Sequence, residues 1–235
     1  MDTVIHRADA RGRADHGWLQ ARYSFSFADW YEPTRMHFGR LRVLNDDIIA
    51  PAGGFDTHAH DNMEIVTVPL AGALRHRDSM GHEQVLHAGE VQVMSAGSGL
   101  RHSEFNASDT EPVNLLQIWV LPKERDVTPR YDQQAFAVEE RHNRLQTLVA
   151  PGGQDGALWV NQDTWFSRGD FDAGQSLDYA LHGDGNGVYV FVIDGRVALA
   201  GETLARRDAM GAWNTDNVHV DMLGDSALLF IEVPI

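Results

Sequence analysis

The feature that most constrains this chain is its rhythm. Short runs rich in β-branched and aromatic residues recur throughout, and the apolar spacing of an amphipathic helix is scarce. The clearest runs span residues 41–44, 64–70, 90–94, 113–121, 187–193 and 227–233. Turn chemistry lies between and beyond them, at Ala71-Gly72, Ser79-Met80-Gly81, Ala88-Gly89, Asp194-Gly195 and Leu223-Gly224-Asp225. Residues that supply left-handed backbone or local side-chain hydrogen bonds close antiparallel hairpins. The expectation is an all-β chain of short antiparallel strands folded as a sandwich or barrel. Pro69 falls inside one run; without an N–H to donate to a ladder, it belongs at an edge or bulge.

A length of 235 residues fits one large domain or two small ones. The stretch 122–158 is more polar, carries Glu139-Glu140-Arg141-His142-Asn143-Arg144 and includes the breaker cluster Pro151-Gly152-Gly153-Gln154-Asp155-Gly156. It reads as the crossing between two halves, placed at 1–135 and 136–235. A faint echo relates Leu86-His87-Ala88-Gly89-Glu90-Val91-Gln92-Val93-Met94 in the first half to Leu204-Ala205-Arg206-Arg207-Asp208-Ala209-Met210-Gly211-Ala212-Trp213 in the second. Such echoes arise by chance in β proteins, so this one supports duplication only alongside other signals.

Composition narrows the chemistry. The formal charge of −15 opposes binding to a polyanion, so nucleic acid is not an expected partner. With no cysteine there can be no disulfide, thiolate metal site or cysteine nucleophile, and any metal must be held by nitrogen and oxygen. No apolar run approaches the roughly 18 residues of a membrane span. The first residues, Met1-Asp2-Thr3-Val4-Ile5-His6-Arg7, do not resemble an export signal, so the expected address is the cytoplasm. On that expectation, the glycosylation-type triplet Asn106-Ala107-Ser108 is accidental.

Histidine carries the functional signal, because 9 of the 12 lie at or before position 102. Two motifs stand out: His58-Ala59-His60 and His102-Ser103-Glu104. On a strand, residues i and i+2 share a face, so each motif aims two donors in one direction. Two such strands facing one cavity would assemble three imidazoles and a carboxylate, leaving two corners of an octahedron open. A shell of that kind suits Fe(II) first, with Ni(II), Mn(II), Co(II) and Cu(II) also accommodated and Zn(II) an alternative. A lone H-x-H is more often solvated surface; the second pair, led in by Ser95-Ala96-Gly97-Ser98-Gly99, shifts the balance toward a metal site.

His58-Ala59-His60 followed by Glu64 resembles the first cupin motif, and Gly99, His102 and Asn106 resemble the end of the second. Gly97 stands where that motif has proline, and Gly53 and Gly72 are each one place out of register. A closer resemblance covers about His16 to Gln133. His16-Gly17-Trp18-Leu19, Ser24-Phe25-Ser26-Phe27-Ala28, Leu41-Arg42-Val43-Leu44-Asn45-Asp46-Asp47, Asp78-Ser79-Met80-Gly81, Met94-Ser95-Ala96-Gly97 and Gln117-Ile118-Trp119 are similar to the pirin family, in particular its bacterial quercetinase-like group. The resemblance implies a bicupin: two stacked antiparallel β-barrel (jelly-roll) domains. The N-terminal one would bind one divalent transition metal through His58, His60, His102 and Glu104. Where the family commonly has H-P-H and a basic residue, this chain has Ala59 and Asp61-Asn62. The second half lacks either motif, with His142, His182 and His219 isolated, so no metal is expected there.

The same resemblance implies a metal-dependent dioxygenase that opens the central ring of flavonols such as quercetin with O2. Such a reaction needs a base for the flavonol 3-hydroxyl, and two carboxylates compete for it. Glu104 would act as ligand and base. Glu64, four residues past His60, shares its face if no bulge intervenes, and could be the base or orient a ligand. Phe25, Phe27, Met36, Phe38, Phe55 and Met63 are candidate pocket lining, Trp18 and Trp119 are assigned to packing, and Asn45-Asp46-Asp47 reads as a solvated hairpin turn. The competing function is a metal-bound regulatory protein acting on a partner enzyme or transcription regulator. A monomer is expected.

Overall fold

The computed structural model describes all 235 residues, 1–235. It is built of antiparallel strands, with three short 3-10 segments at Ala8–Ala10, Val138–Arg141 and Pro151–Gly156 and no α-helix. No helix is long and apolar enough to cross a membrane. Four sheets form two pairs. In the first large sheet, Glu64–Ala71 lies between Glu90–Ser95 and Val113–Val120, followed by Leu41–Ile49, Leu19–Tyr23 and Gly12–Asp15; Arg130–Ala135 closes the other edge. Facing it, Leu100–Asn106 lies between Gly54–His60 and Ala73–Asp78, with Glu83–His87 outermost.

The second half repeats this order. Asn186–Asp194 lies between Ala209–Trp213 and Ser226–Pro234, followed by Trp165–Phe171 and Gln146–Val149. Its small sheet runs Ser176–Ala180, Asn217–Met222, Arg196–Leu199, Glu202–Ala205. The echo seen in the sequence falls on equivalent places: in each half it covers the outermost strand of the small sheet and the next strand, which crosses into the large one. The chain is therefore a bicupin of two jelly-roll barrels. One strand pairing joins the two halves, because Asp2–His6 pairs with Ala209–Trp213 in the second half's large sheet.

Strand parity decides what each barrel holds. In Val113–Val120, Leu116, Ile118 and Val120 face a 24-residue apolar core that also takes in Tyr189, Phe191, Leu229 and Ile231, so the large sheets of the two halves pack back to back. Each large apolar side chain fully buried there contributes about 1.5–3 kcal/mol. The opposite parity faces into the barrels. The second barrel is filled by a 15-residue apolar cluster including Val188, Val190, Met210, Val220 and Phe230. The first has only two small apolar clusters, around Leu74 and around Ile65. Between them its inward positions are polar, with Asn45, Asp47, His76, His102 and Glu104 all buried.

Two local expectations meet different outcomes. Pro69 sits at a register shift opposite Leu115, beyond the point where Glu90–Ser95 stops pairing, so its missing N–H breaks no ladder. Asn45-Asp46-Asp47 is not a turn: the three residues lie in the middle of the strand Leu41–Ile49 and are buried. Turn-forming residue types are overridden here by pairing on both sides, with Leu19–Tyr23 and Val113–Val120.

Candidate metal centre

The neighbouring strands Gly54–His60 and Leu100–Asn106 carry the two histidine motifs. Their antiparallel pairing sets His102 opposite His58 and Leu100 opposite His60, with a one-residue register shift before Glu104 meets Phe55. Gly54 allows the close approach at that shift, since a Cβ there would lie 2.5 Å from the Glu104 carbonyl oxygen. The i, i+2 rule then delivers the side chains to the barrel interior. The imidazole centroids of His58, His60 and His102 lie 4.8, 4.4 and 4.9 Å apart, and ring nitrogens of all three come within 4.8 Å of one another. A second, overlapping group joins His102 and Glu104 to His76 within the same limit.

His102 is 1% exposed and neither ring nitrogen has a protein partner. A buried imidazole left that way is costly unless something outside the chain completes it. Burial first, then the neighbouring imidazoles, hold His60 at about 4 and His102 at about 3, so both are neutral near pH 7, the form that ligates. His58 Nδ1 donates to the Asp56 carbonyl oxygen at 2.8 Å, which leaves Nε2 with its lone pair free. Burial pushes the Glu104 carboxyl up, opposed by the pull of His76, His58 and a hydrogen bond from Gln117. Three imidazoles and a buried carboxylate with no cysteine nearby fit a divalent metal, which would supply the charge balance Glu104 lacks.

Supporting contacts fix these groups. Thr67 Oγ1 donates to Gln117 Oε1 at 2.9 Å, which turns Gln117 Nε2 toward both Glu104 oxygens, at 3.3 and 3.0 Å. His76 Nε2 meets Asp78 Oδ2 at 3.2 Å; His82 Nδ1 reaches the same oxygen at 2.9 Å, and Tyr131 stacks on both rings. His76 appeared in the sequence only as part of the histidine excess. Its place opposite Glu104 comes from pairing with Ala73–Asp78, which local spacing does not reveal.

His58, His60 and Glu104 form part of the wall of a cavity of about 400 Å³, which Trp18, Tyr23, Phe27, Phe55, Trp119, Asn45, Asp47 and Gln117 help to line. Phe27 and Phe55 are thus where the sequence put them. Met36 and Met63 line an adjoining hollow, whereas Phe25 and Phe38 belong to the core between the barrels. Trp18 and Trp119, assigned to packing, are pocket walls, and the Trp119 ring stands edge-on to His60 at 5.0 Å. Inward parity along Leu115, Gln117 and Trp119 was the available signal.

Glu64 is corrected. It lies on the strand after the one bearing His60, and shares the parity of Val66 and Val68, which face the core between the barrels. Its Oε2 accepts hydrogen bonds from Ser95 Oγ at 2.6 Å and from the Asn161 N–H at 3.0 Å. It borders neither the cluster nor the cavity. Asp61–Met63 break the strand, and with it the alternation that would have carried the His60 face to position 64.

Burial pushes the Asp47 carboxyl well up, and the Asp46 and Glu104 charges add to the effect. Neither Asn45 Oδ1 nor Asp47 Oδ1 has a protein partner, at a cost of about 1–3 kcal/mol for each buried group left unpaired.

Comparison with known proteins agrees with this architecture. The Pirin family model matches residues 5–120, and the model of the quercetinase C-terminal cupin domain matches residues 147–233. A quercetin 2,3-dioxygenase of Escherichia coli K12 is 39% identical over 231 residues, covering 98% of each chain. A pirin-like protein of Caulobacter vibrioides is 39% identical over 225 residues, 95% of this chain and 96% of that one. The crystal structure of an Escherichia coli bacterial pirin in complex with nickel(II) superposes with a TM-score of 0.94 at 38% identity, covering 99% of both chains. On its motifs, its paired barrels and these relatives, the chain belongs to the pirin family of two-domain cupins.

Proposed function

We propose that this protein is a metal-dependent dioxygenase that opens the central ring of flavonols such as quercetin with O2. The observation that carries the reading is the position of the donor cluster: His58, His60 and Glu104 stand at the wall of a cavity otherwise lined largely by aromatic rings. A structural ion would be sealed among its ligands; this cluster borders a space of the size that holds a flat polycyclic molecule. Support also comes from relatives named quercetin 2,3-dioxygenase at 39% identity over nearly the whole chain.

In this reading His58, His60, His102 and Glu104 hold one divalent metal, with Fe(II) the first candidate on ligand hardness and Ni(II), as in the related crystal structure, the second. When bound, that metal supplies Lewis acidity toward the deprotonated flavonol and a path for electrons to O2. Glu104 takes the proton of the flavonol 3-hydroxyl at a carboxylate oxygen, steered by the two Gln117 hydrogen bonds. Trp18, Phe27, Phe55 and Trp119 hold the flat rings and exclude water.

Metal analysis of freshly purified protein, coupled to oxygen consumption and carbon monoxide release with quercetin, tests this directly. The expected outcome is about one metal per chain and metal-dependent turnover that disappears in His60→Ala. Metal-replete protein inert toward a panel of flavonols would overturn the dioxygenase reading in favour of a regulatory one.

A further inference from the structure

Asn45 and Asp47 are 3% and 4% exposed, line the same cavity as Glu104, and make no side-chain hydrogen bond to any other residue. Other buried carboxyls of the chain each have a side-chain or backbone partner. Asp46, between them and facing the other side of the sheet, is met by Arg11 at 3.5 Å, Arg207 at 3.4 Å and Asn114 Nδ2 at 2.8 Å. Glu232, equally buried in the second half, accepts hydrogen bonds from Tyr179 Oη, the His182 and Gly183 N–H groups and Asn186 Nδ2. Native folds retain unpaired buried polar groups where an outside partner completes them.

The surroundings define that partner. The two side chains are i, i+2 on one strand, so their backbone origins lie about 6.7 Å apart on a single inward face. That separation suits two substituents of one rigid molecule better than one atom. The aromatic walls of the cavity call for a flat ring system, and the Asn45 amide and Asp47 carboxyl, which line it and have no side-chain partner, call for hydroxyls on the ring edge. Asn45 sits directly opposite Gln117, the residue that holds Glu104, so the pair adjoins the proton acceptor.

We propose that Asn45 and Asp47 are the specificity pair of this pocket, forming hydrogen bonds with hydroxyls of a polyhydroxylated planar aromatic substrate other than the hydroxyl that faces Glu104. The assignment rests on the flavonol reading for the ring system. It adds that hydroxyls remote from the reacting carbon are selected, and names the residues that select them.

The test compares quercetin with 3-hydroxyflavone, which keeps only the reacting hydroxyl. Dissociation constants are read from quenching of tryptophan fluorescence in the metal-loaded protein, alongside KM and kcat. Wild type is expected to bind quercetin at least tenfold more tightly than 3-hydroxyflavone. Asn45→Leu with Asp47→Leu should reduce that preference to about twofold or less by weakening quercetin alone, while Asp47→Asn, which keeps an acceptor, should retain most of it. The melting temperature of the ligand-free Leu variant should equal or exceed that of wild type. A preference that survives the Leu variant, equal loss of both ligands, or a marked fall in melting temperature would overturn the assignment. Selective binding without oxygen uptake would sink the dioxygenase reading and leave the pair standing. Turnover of both flavonols with equal KM would do the reverse, and binding of neither would overturn both.

Discussion

At the scale of single residues, two buried carboxyls in the first half have opposite surroundings. Glu104 lies among His76 and His102 in the barrel interior, whereas Glu64 meets Ser95 and Asn161 on the far side of the sheet. Glu104→Gln should therefore lower kcat roughly 100-fold or more, the usual size of a lost general base. Glu64→Gln should leave kcat within about threefold and instead cost about 1–2 kcal/mol of stability, because its hydrogen bonds join Asn161 of the second half to Ser95 of the first barrel. Steady-state kinetics and urea titration of both variants check the pair; a collapse of kcat in Glu64→Gln would contradict this placement. The four metal-ligand candidates were legible because each H-x-H or H-x-E lies within one strand, where parity is local. Asn45 and Asp47 were hidden by their own residue types, which favour turns in isolation. Their inward parity with Val43 and Ile49 shows only once the strand is known to continue.

Among the connecting elements, the turn between Glu90–Ser95 and Leu100–Asn106 delivers the second ligand pair. Gly97 in that turn has φ +48, and a Cβ there would lie 2.0 Å from the Val127 carbonyl oxygen. Because the obstacle is backbone, Gly97→Ala should destabilise the protein by about 2 kcal/mol or more and loosen metal retention. Gly224 provides the contrast: it has nothing within 4 Å of its would-be Cβ and no left-handed φ, so Gly224→Ala should be neutral or stabilising by up to about 1 kcal/mol. Calorimetry and metal content of the two variants separate a demand of the turn from a general effect of losing glycine. The sequence marked Gly97 as part of a glycine-rich lead-in and as a departure from a motif. Its close neighbour comes from residues 127–129, thirty positions away, and no local pattern reports that approach.

Across the whole molecule, the 24-residue core joins the two halves and Asp2–His6 spans from one to the other. Heat should unfold both barrels in one transition, with calorimetric and van't Hoff enthalpies in agreement; two resolved transitions would argue against a shared core. That first strand also carries a pH signature. His6 is buried against Phe25 and Tyr189, and burial, aided by Arg35, lowers it from the usual 6.5 to about 4. Between those values the unfolded chain binds a proton that the folded one refuses, so stability is full above pH 6.5 and falls on acidification toward pH 4. The slope is at most about 1.4 kcal/mol per pH unit, or about 3 kcal/mol in all. His6→Gln should flatten the fall relative to wild type in urea titrations at pH 7 and 4.5, and an unaltered slope would show that other groups set it.

The apolar filling of the second barrel has a consequence for how the protein tolerates change. A hollow chamber with buried polar groups in its wall is a poor source of cohesion, yet the first barrel keeps one because its reverse side is braced by a solid neighbour. Sequence drift that erodes packing around Val190 or Phe230 should thus surface as weakened catalysis before any residue of the chamber is altered. Conversely, tightening that remote interior is the route by which the chamber could be remade for another substrate without collapse.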